Sequence, residues 1–123
     1  MPTAEFIEIA VDDIQRAVGF YREMFGWQFE KMPGPMEYYT ARTTDEKGRP
    51  GVVIGMMPRQ HPDHRITPYV TVPSVEEAMA KARQVGGQVC MAKTPVPGMG
   101  WFAVCADSEG NGFAVWQDDS SAG

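Results

Sequence analysis

The 123-residue chain lacks any apolar run long enough to span a bilayer, so no membrane-spanning helix is expected. Cysteine is scarce. Cys90 and Cys105 are the only two, they lack C-x-x-C spacing, and each sits in an apolar stretch. That excludes a disulfide framework and reads as small core residues in a reducing compartment. Histidine is equally scarce, confined to His61 and His64 in the segment His-Pro-Asp-His. Positive charge is also short: 11 Lys and Arg stand against 16 Asp and Glu, a formal charge of −5. A nucleic-acid partner needs a basic face to displace counterions, and none is expected here. The opening MPTAEFIEIAVDD carries acids where a secretory signal would carry a basic patch, so the expected location is cytoplasmic.

What is present suits one packed domain over residues 1–123. The 43% hydrophobic content is enough for a core, and 22% charged residues argue against disorder. The chain also repeats itself once. Phe6 to Ile14 and Thr67 to Val75 run in parallel, so that Val11 falls on Val72, Ala17 on Ala78 and Gly26 on Gly87 at one constant offset.

Each half reads as strand, helix, then three strands. Residues 5–11 alternate, with Ile7, Ile9 and Val11 on one face and Phe6, Glu8 and Ala10 on the other. Asp12-Asp13 supplies a helix cap, Ile14, Ala17, Val18, Tyr21 and Phe25 recur at helical spacing, and Gly26 stops the helix. In the second half Ser74-Val-Glu-Glu77 is a capping-box pattern ahead of Val75, Ala78, Met79, Ala82 and Val85, and Gly86-Gly87 ends that helix. Strands are predicted over 27–31, 36–42 and 51–57, then over 88–92, 101–106 and 112–117, with turn residues between them. Repeat one covers about residues 5–57 and repeat two about 67–117, joined by a polar linker over 58–66. The fold class is α+β, a doubled βαβββ order.

These segments resemble the vicinal oxygen chelate superfamily, the glyoxalase, bleomycin-resistance and dioxygenase relatives, and in particular its glyoxalase-like branch. The resemblance rests on FIEIAVDDIQRAVGFYREMFGW, PYVTVPSVEEAMAKARQVGGQV and PVPGMGWFAVCADSEGNGFAVWQ, in that order along the chain. It implies a concave mixed sheet with the helices on its outer face, and a homodimer. It also implies a divalent metal held by His, Glu or Gln from the first and last strands of each repeat. Carried over residue by residue, those ligand positions fall on Phe6, near Val53, on Thr67 and on Ala114. None offers imidazole or carboxylate, and Gly51 to Met57, Ile66 to Val72 and Gly112 to Trp116 contain no His, Asp, Glu, Gln or Asn. No metal and no cofactor are expected.

The candidate site residues are therefore the ligand-contacting set Phe6, Glu8, Thr67, Tyr69, Trp101 and Trp116, with Glu8 the candidate catalytic group. Strand alternation puts Glu8 with Phe6 on the face that the resemblance makes the cavity wall. It reads either as a carboxylate paired to a cation such as Arg42, or as a desolvated group that meets a ligand or acts as a base. Thr67 and Tyr69 share one strand face, and Trp116 shares another with Ala114. Together with Phe6 they make an aromatic lining with a few polar tips. Trp101 follows Pro95-Val-Pro-Gly-Met-Gly100, which reads as ordinary turn chemistry or as a loop closing over the pocket. His61 and His64 read as polar loop residues, with adventitious metal binding the alternative.

Three functions remain open on this reading. The first is a metal-independent protein binding an unknown small molecule, in one version sequestering it as bleomycin-resistance proteins do. The second is a lyase, isomerase or dioxygenase-type enzyme using Glu8 as base, or a metal completed by a partner chain. The third is an interaction subunit whose pocket is filled.

Overall fold

Asp13 opens the first helix: its extended backbone and its side chain, which accepts from the Arg16 N–H at 3.0 Å, satisfy a donor the helix leaves over. Gly26 closes it in the left-handed region at φ 74°, as a residue without Cβ does most readily. The second helix begins on Ser74, whose hydroxyl accepts from the Glu77 N–H at 3.1 Å, and is followed by Gly86 at φ 98°. Both starts are as the capping residues predict.

The computed structural model describes residues 2–123. Its elements run β1 (Thr3–Val11), α1 (Ile14–Phe25), β2 (Glu30–Lys31), β3 (Tyr39–Thr44), β4 (Pro50–Pro58), β5 (Ile66–Thr71), α2 (Val75–Gln84), β6 (Gln88–Val96), β7 (Gly100–Ala106) and β8 (Gly112–Asp118). They fall into two compact units, Glu5–Thr67 and Pro68–Gly123, the second also taking in residues 2–4. The α+β class and the doubled βαβββ order are both seen.

In the Glu5–Thr67 unit the strand order is β2-β3-β4-β1, with β1 parallel to β4 and the other pairs antiparallel. The Pro68–Gly123 unit repeats it as β6-β7-β8-β5, with β5 parallel to β8. In this second unit α2 lays Val75 and Met79 against Ala103 and Val115, and Val89, Trp101 and Phe113 pack around them. Val75, Met79 and Val115, the larger of the buried side chains, each contribute roughly 1.5–3 kcal/mol by removal from water. In the first unit Ile54 and Met56 of β4 are buried beside Ile7 and Ile9, their partners on β1.

Several strand ends differ from the predicted ones, and three of the larger differences have a clear cause. β2 is short because Trp27 stacks on Tyr21, ring centroids 5.4 Å apart, and lies tilted against Phe25 at 4.9 Å, which keeps Trp27 with α1 instead of the sheet. β3 starts at Tyr39 because the Pro33-Gly34-Pro35 turn extends to Tyr38, whose carbonyl accepts from the Met32 N–H. β6 runs on to Val96 despite Pro95, since it is the outermost strand of its unit and one missing ladder donor is tolerated there.

Candidate functional site

The face of the Glu5–Thr67 unit that carries Glu8 is built from three strands. Parallel pairing sets Phe6 opposite Val53, Glu8 opposite Gly55 and Ala10 opposite Met57. On the other side of β4, Thr40 pairs with Gly55 and Arg42 with Val53, so Tyr38, two residues before Thr40, continues the same row. Glu8 is 7% exposed, the one buried charged residue among those described.

Tyr38 stands beyond β4 from Glu8, yet its hydroxyl donates to Glu8 Oε2 at 2.7 Å. Two strand spacings amount to roughly 9.5 Å, more than a tyrosine spans unless the strand between is bare. Gly55 is that bare position. A Cβ there would overlap Tyr38 Oη and lie 2.6 Å from Phe6 Cζ. The absent side chain makes room for both aromatic rings and lets the hydroxyl reach the carboxylate.

The second partner comes from the loop between β4 and β5. Arg59 fixes that loop to the end of β1: its backbone N–H donates to Val11 O, Nη1 to Asp12 Oδ2 at 2.9 Å, Nη2 to Ala10 O, and Nε to His64 O at 2.9 Å. The Gln60 backbone N–H donates to His64 Nδ1 at 3.1 Å, and the His61 and His64 rings stack with centroids 5.4 Å apart. These contacts turn His64 Nε2 toward Glu8 Oε1, 3.9 Å away.

His64 is held neutral at pH 7. Burial pushes its pKa below the usual 6.5, and the neighbouring His61 and the Arg59 guanidinium push the same way. The ring geometry agrees: Nδ1 accepts from Gln60, so protonating it would set donor against donor, and the neutral ring carries its one proton on Nε2. The close approach to Glu8 is thus a neutral donor facing a carboxyl oxygen, not an ion pair at rest.

A stability consequence follows. Below pH 6.5 the unfolded chain protonates His64 while the folded chain resists it, so this residue costs stability as pH falls from 6.5 through the folded pKa. His64→Gln lacks that cost. The melting temperature of wild type relative to His64→Gln should fall between pH 7.5 and pH 5. An unchanged difference would mean that His64 titrates like a free histidine.

The remaining sequence-predicted residues are placed as follows. Thr67 and Tyr69 are half-buried on β5, Tyr69 opposite Ala114. Trp116, on β8, pairs with Phe102, and its indole N–H donates to Asp118 Oδ1 at 2.9 Å. Trp101 is not part of a covering loop. It lies in β7 on the side packed against α2, its N–H donating to Asp119 at 2.9 Å and the Lys93 ammonium 4.4 Å from its ring centre. One alternation step away, Phe102 shares the face of Trp116, because a Gly100 start sends odd-numbered β7 side chains to the helix. Arg42 is exposed on β3, while Tyr38 and His64 face the Glu8 carboxyl.

Sequence reasoning missed Tyr38 and set His64 aside as loop. The signal for Tyr38 was a glycine, Gly55, facing the strand that carries it. For His64 there was none, since a loop has no periodicity to say where its side chains turn.

The divalent metal of the superfamily does not fit these residues. Because Tyr69 pairs with Ala114 as Glu8 pairs with Gly55, the repeat-one counterpart of Ala114 is Gly55, not Val53. The correction leaves phenyl, hydrogen, hydroxyl and methyl side chains at Phe6, Gly55, Thr67 and Ala114, where imidazole or carboxylate is needed. Among the described residues no group of three or more His, Cys, Asp or Glu is placed to hold a metal ion. Elemental analysis of untagged protein should find well under one equivalent of zinc, nickel, manganese or iron. One tight equivalent that survives replacement of both His61 and His64 would contradict this.

The glyoxalase-like domain family matches residues 6–116. The chain belongs to it. Through it the chain is a member of the vicinal oxygen chelate superfamily. Relatives include "Putative glyoxylase CFP32" of Mycobacterium bovis and of Mycobacterium tuberculosis, each 25% identical over 126 residues. The match covers 98% of this chain, which spans about half, 48%, of those relatives. Solved structures of the same fold include a methylmalonyl-CoA epimerase of Streptomyces coelicolor, 14% identical, TM-score 0.69, covering 98% of this chain and 97% of that one. Another is the hypothetical protein BH1468 of Bacillus halodurans, 17% identical, TM-score 0.67, covering 99% and 98%. No described helix is long and apolar enough to cross a membrane.

Proposed function

We propose that this glyoxalase-like chain is a metal-independent enzyme that moves a proton on a small carbonyl compound, with Glu8 as the base. The observation that carries this reading is the buried Glu8 carboxyl, one oxygen tied by the Tyr38 hydroxyl and the other turned to a histidine edge. A carboxyl locked by one oxygen keeps the other in a fixed direction, which is what a general base needs. The epimerase likeness supports the reaction class only by analogy, since epimerisation is itself removal and return of a proton.

The step balances without a redox partner. Glu8 Oε1 takes the proton from the carbon beside the carbonyl, and the C–H electron pair becomes the C=C bond of an enolate whose charge rests on oxygen. Return of a proton to that carbon restores the carbonyl: delivered from the Glu8 side it gives exchange with solvent, and delivered to the opposite face it gives the epimer. The test is solvent hydrogen exchange in D2O, followed by proton NMR, with dihydroxyacetone, pyruvate and an S-propionyl thioester of N-acetylcysteamine as probes. Exchange at the acidic C–H of at least one probe, unaffected by EDTA, is expected. Exchange that requires added metal, or that no probe undergoes, would reject the proposal; binding without exchange would make the chain a sequestering protein.

A further inference from the structure

The proton-transfer reading leaves one requirement unfilled. An enolate puts negative charge on oxygen, and in a site whose residues do not suit a divalent metal some fixed donor must face that oxygen. Among the described residues the candidates near Glu8 are few. The Tyr38 hydroxyl is already spent on Glu8 Oε2, and its geometry orients the base. The Arg59 guanidinium is occupied by Asp12, the Ala10 carbonyl and the His64 carbonyl.

His64 is different. Its Nδ1 is taken by the Gln60 N–H, its carbonyl by Arg59, and its backbone N–H by the His61 carbonyl, so backbone and ring are fixed at three points. Its Nε2–H makes no hydrogen bond among the described residues, and no buried side-chain nitrogen or oxygen is left unsatisfied, so Nε2 is not sealed from a ligand. The distance to Glu8 Oε1, 3.9 Å, is too long for a direct hydrogen bond but short enough for one atom, set to the side of the line joining them, to meet both.

We propose that the Nε2–H of His64 is the oxyanion donor of this site, holding the carbonyl oxygen of the compound whose neighbouring C–H is delivered to Glu8 Oε1. This rests on the proton-transfer reading above and goes beyond it in naming what replaces the metal. It also narrows the substrate: a donor and a base 3.9 Å apart suit a carbonyl and the carbon directly attached to it, in one planar unit. That unit is an aldehyde, ketone or thioester with an α-hydrogen. A neutral imidazole suits the role, because a neutral donor stabilises developing charge without protonating Glu8 in the resting enzyme. Arg59 and Gln60 then act as positioning residues that fix the ring and its tautomer.

The experiment has two readouts. Long-range nitrogen–proton NMR of the wild-type protein at pH 7 should show His64 as the neutral Nε2–H tautomer; an Nδ1–H tautomer or an imidazolium overturns the proposal whatever the activity. The exchange assay then compares His64→Ala, His64→Gln and Glu8→Gln. His64→Ala should lose roughly 100-fold or more in exchange rate at saturating probe, the usual effect of removing one oxyanion donor, with KM little changed. His64→Gln, which restores an N–H near the same reach, should recover at least a tenth of the wild-type rate. Glu8→Gln losing exchange while His64→Ala keeps it within about twofold of wild type would overturn this inference and leave the function standing. Absence of exchange in the wild type would remove both. Should His64→Ala fail to fold, the tautomer and the His64→Gln rate decide.

Discussion

Gly100→Ala is expected to destabilise the Pro68–Gly123 unit by about 2–3 kcal/mol, the upper range for forcing extra volume into a packed site. A Cβ at this position would collide with the Gln117 carbonyl oxygen and lie 2.6 Å from Trp116 Cζ2. The carbonyl is backbone in the β7–β8 ladder, where Gly100 pairs with Asp118 and Trp101 with Gln117, so it has no rotamer by which to escape. The indole is restrained as well, its N–H held by Asp118. Relief therefore requires the hairpin to part, which disturbs Ala103 and Val115 in the α2 core. A fall in melting temperature of about 10 °C should accompany the change, with altered tryptophan fluorescence from Trp101 and Trp116. An unchanged melting temperature would show that β7 yields at this point more easily than its pairing implies.

Glu8→Gln should abolish proton exchange, by at least 100-fold on the usual scale for a lost general base, while the protein remains folded. Glutamine keeps the shape and an amide oxygen that accepts from Tyr38, so the 2.7 Å contact survives in kind. What changes is the other end. Either the amide NH2 turns to His64 Nε2–H, donor against donor, or it turns to Tyr38 and leaves that hydroxyl to reorient. One imperfect hydrogen bond costs about 1 kcal/mol, so a small loss of stability and a complete loss of chemistry are expected together. Thermal melts and exchange rates measured on the same preparation separate the two. A variant that melts far lower yet exchanges protons like wild type would assign Glu8 to structure and take the base out of the proposed reaction.

Much of the fold was readable from the chain because the relevant signals are local. Asp13 and Ser74 cap helices through hydrogen bonds to residues three positions on, and Gly26 and Gly86 end them by adopting a conformation other residues resist. Alternation in β1 placed Phe6, Glu8 and Ala10 on one face, as the pairing with Val53, Gly55 and Met57 bears out. Local signals also misled where a competing contact won. Trp27 left the predicted strand to stack on Tyr21. Of the two readings of the turn before Trp101, ordinary turn chemistry is the one seen, where the chain crosses from β6 to β7.

Sequence by itself determined the doubled βαβββ order, the faces of the strands and the carboxylate on one of them, each written in a period of a few residues. The lack of metal donors at the superfamily's ligand positions was legible too, through the resemblance that locates those positions. Tertiary structure alone decided what the carboxylate touches. Tyr38 and Glu8 are 30 residues apart and meet only because β3, β4 and β1 lie side by side with a glycine between them. His64 meets Glu8 only because Arg59 fastens an aperiodic loop to the end of β1 and Gln60 turns the ring. Strand pairing and loop closure join residues distant in the chain, and no local pattern records such a meeting.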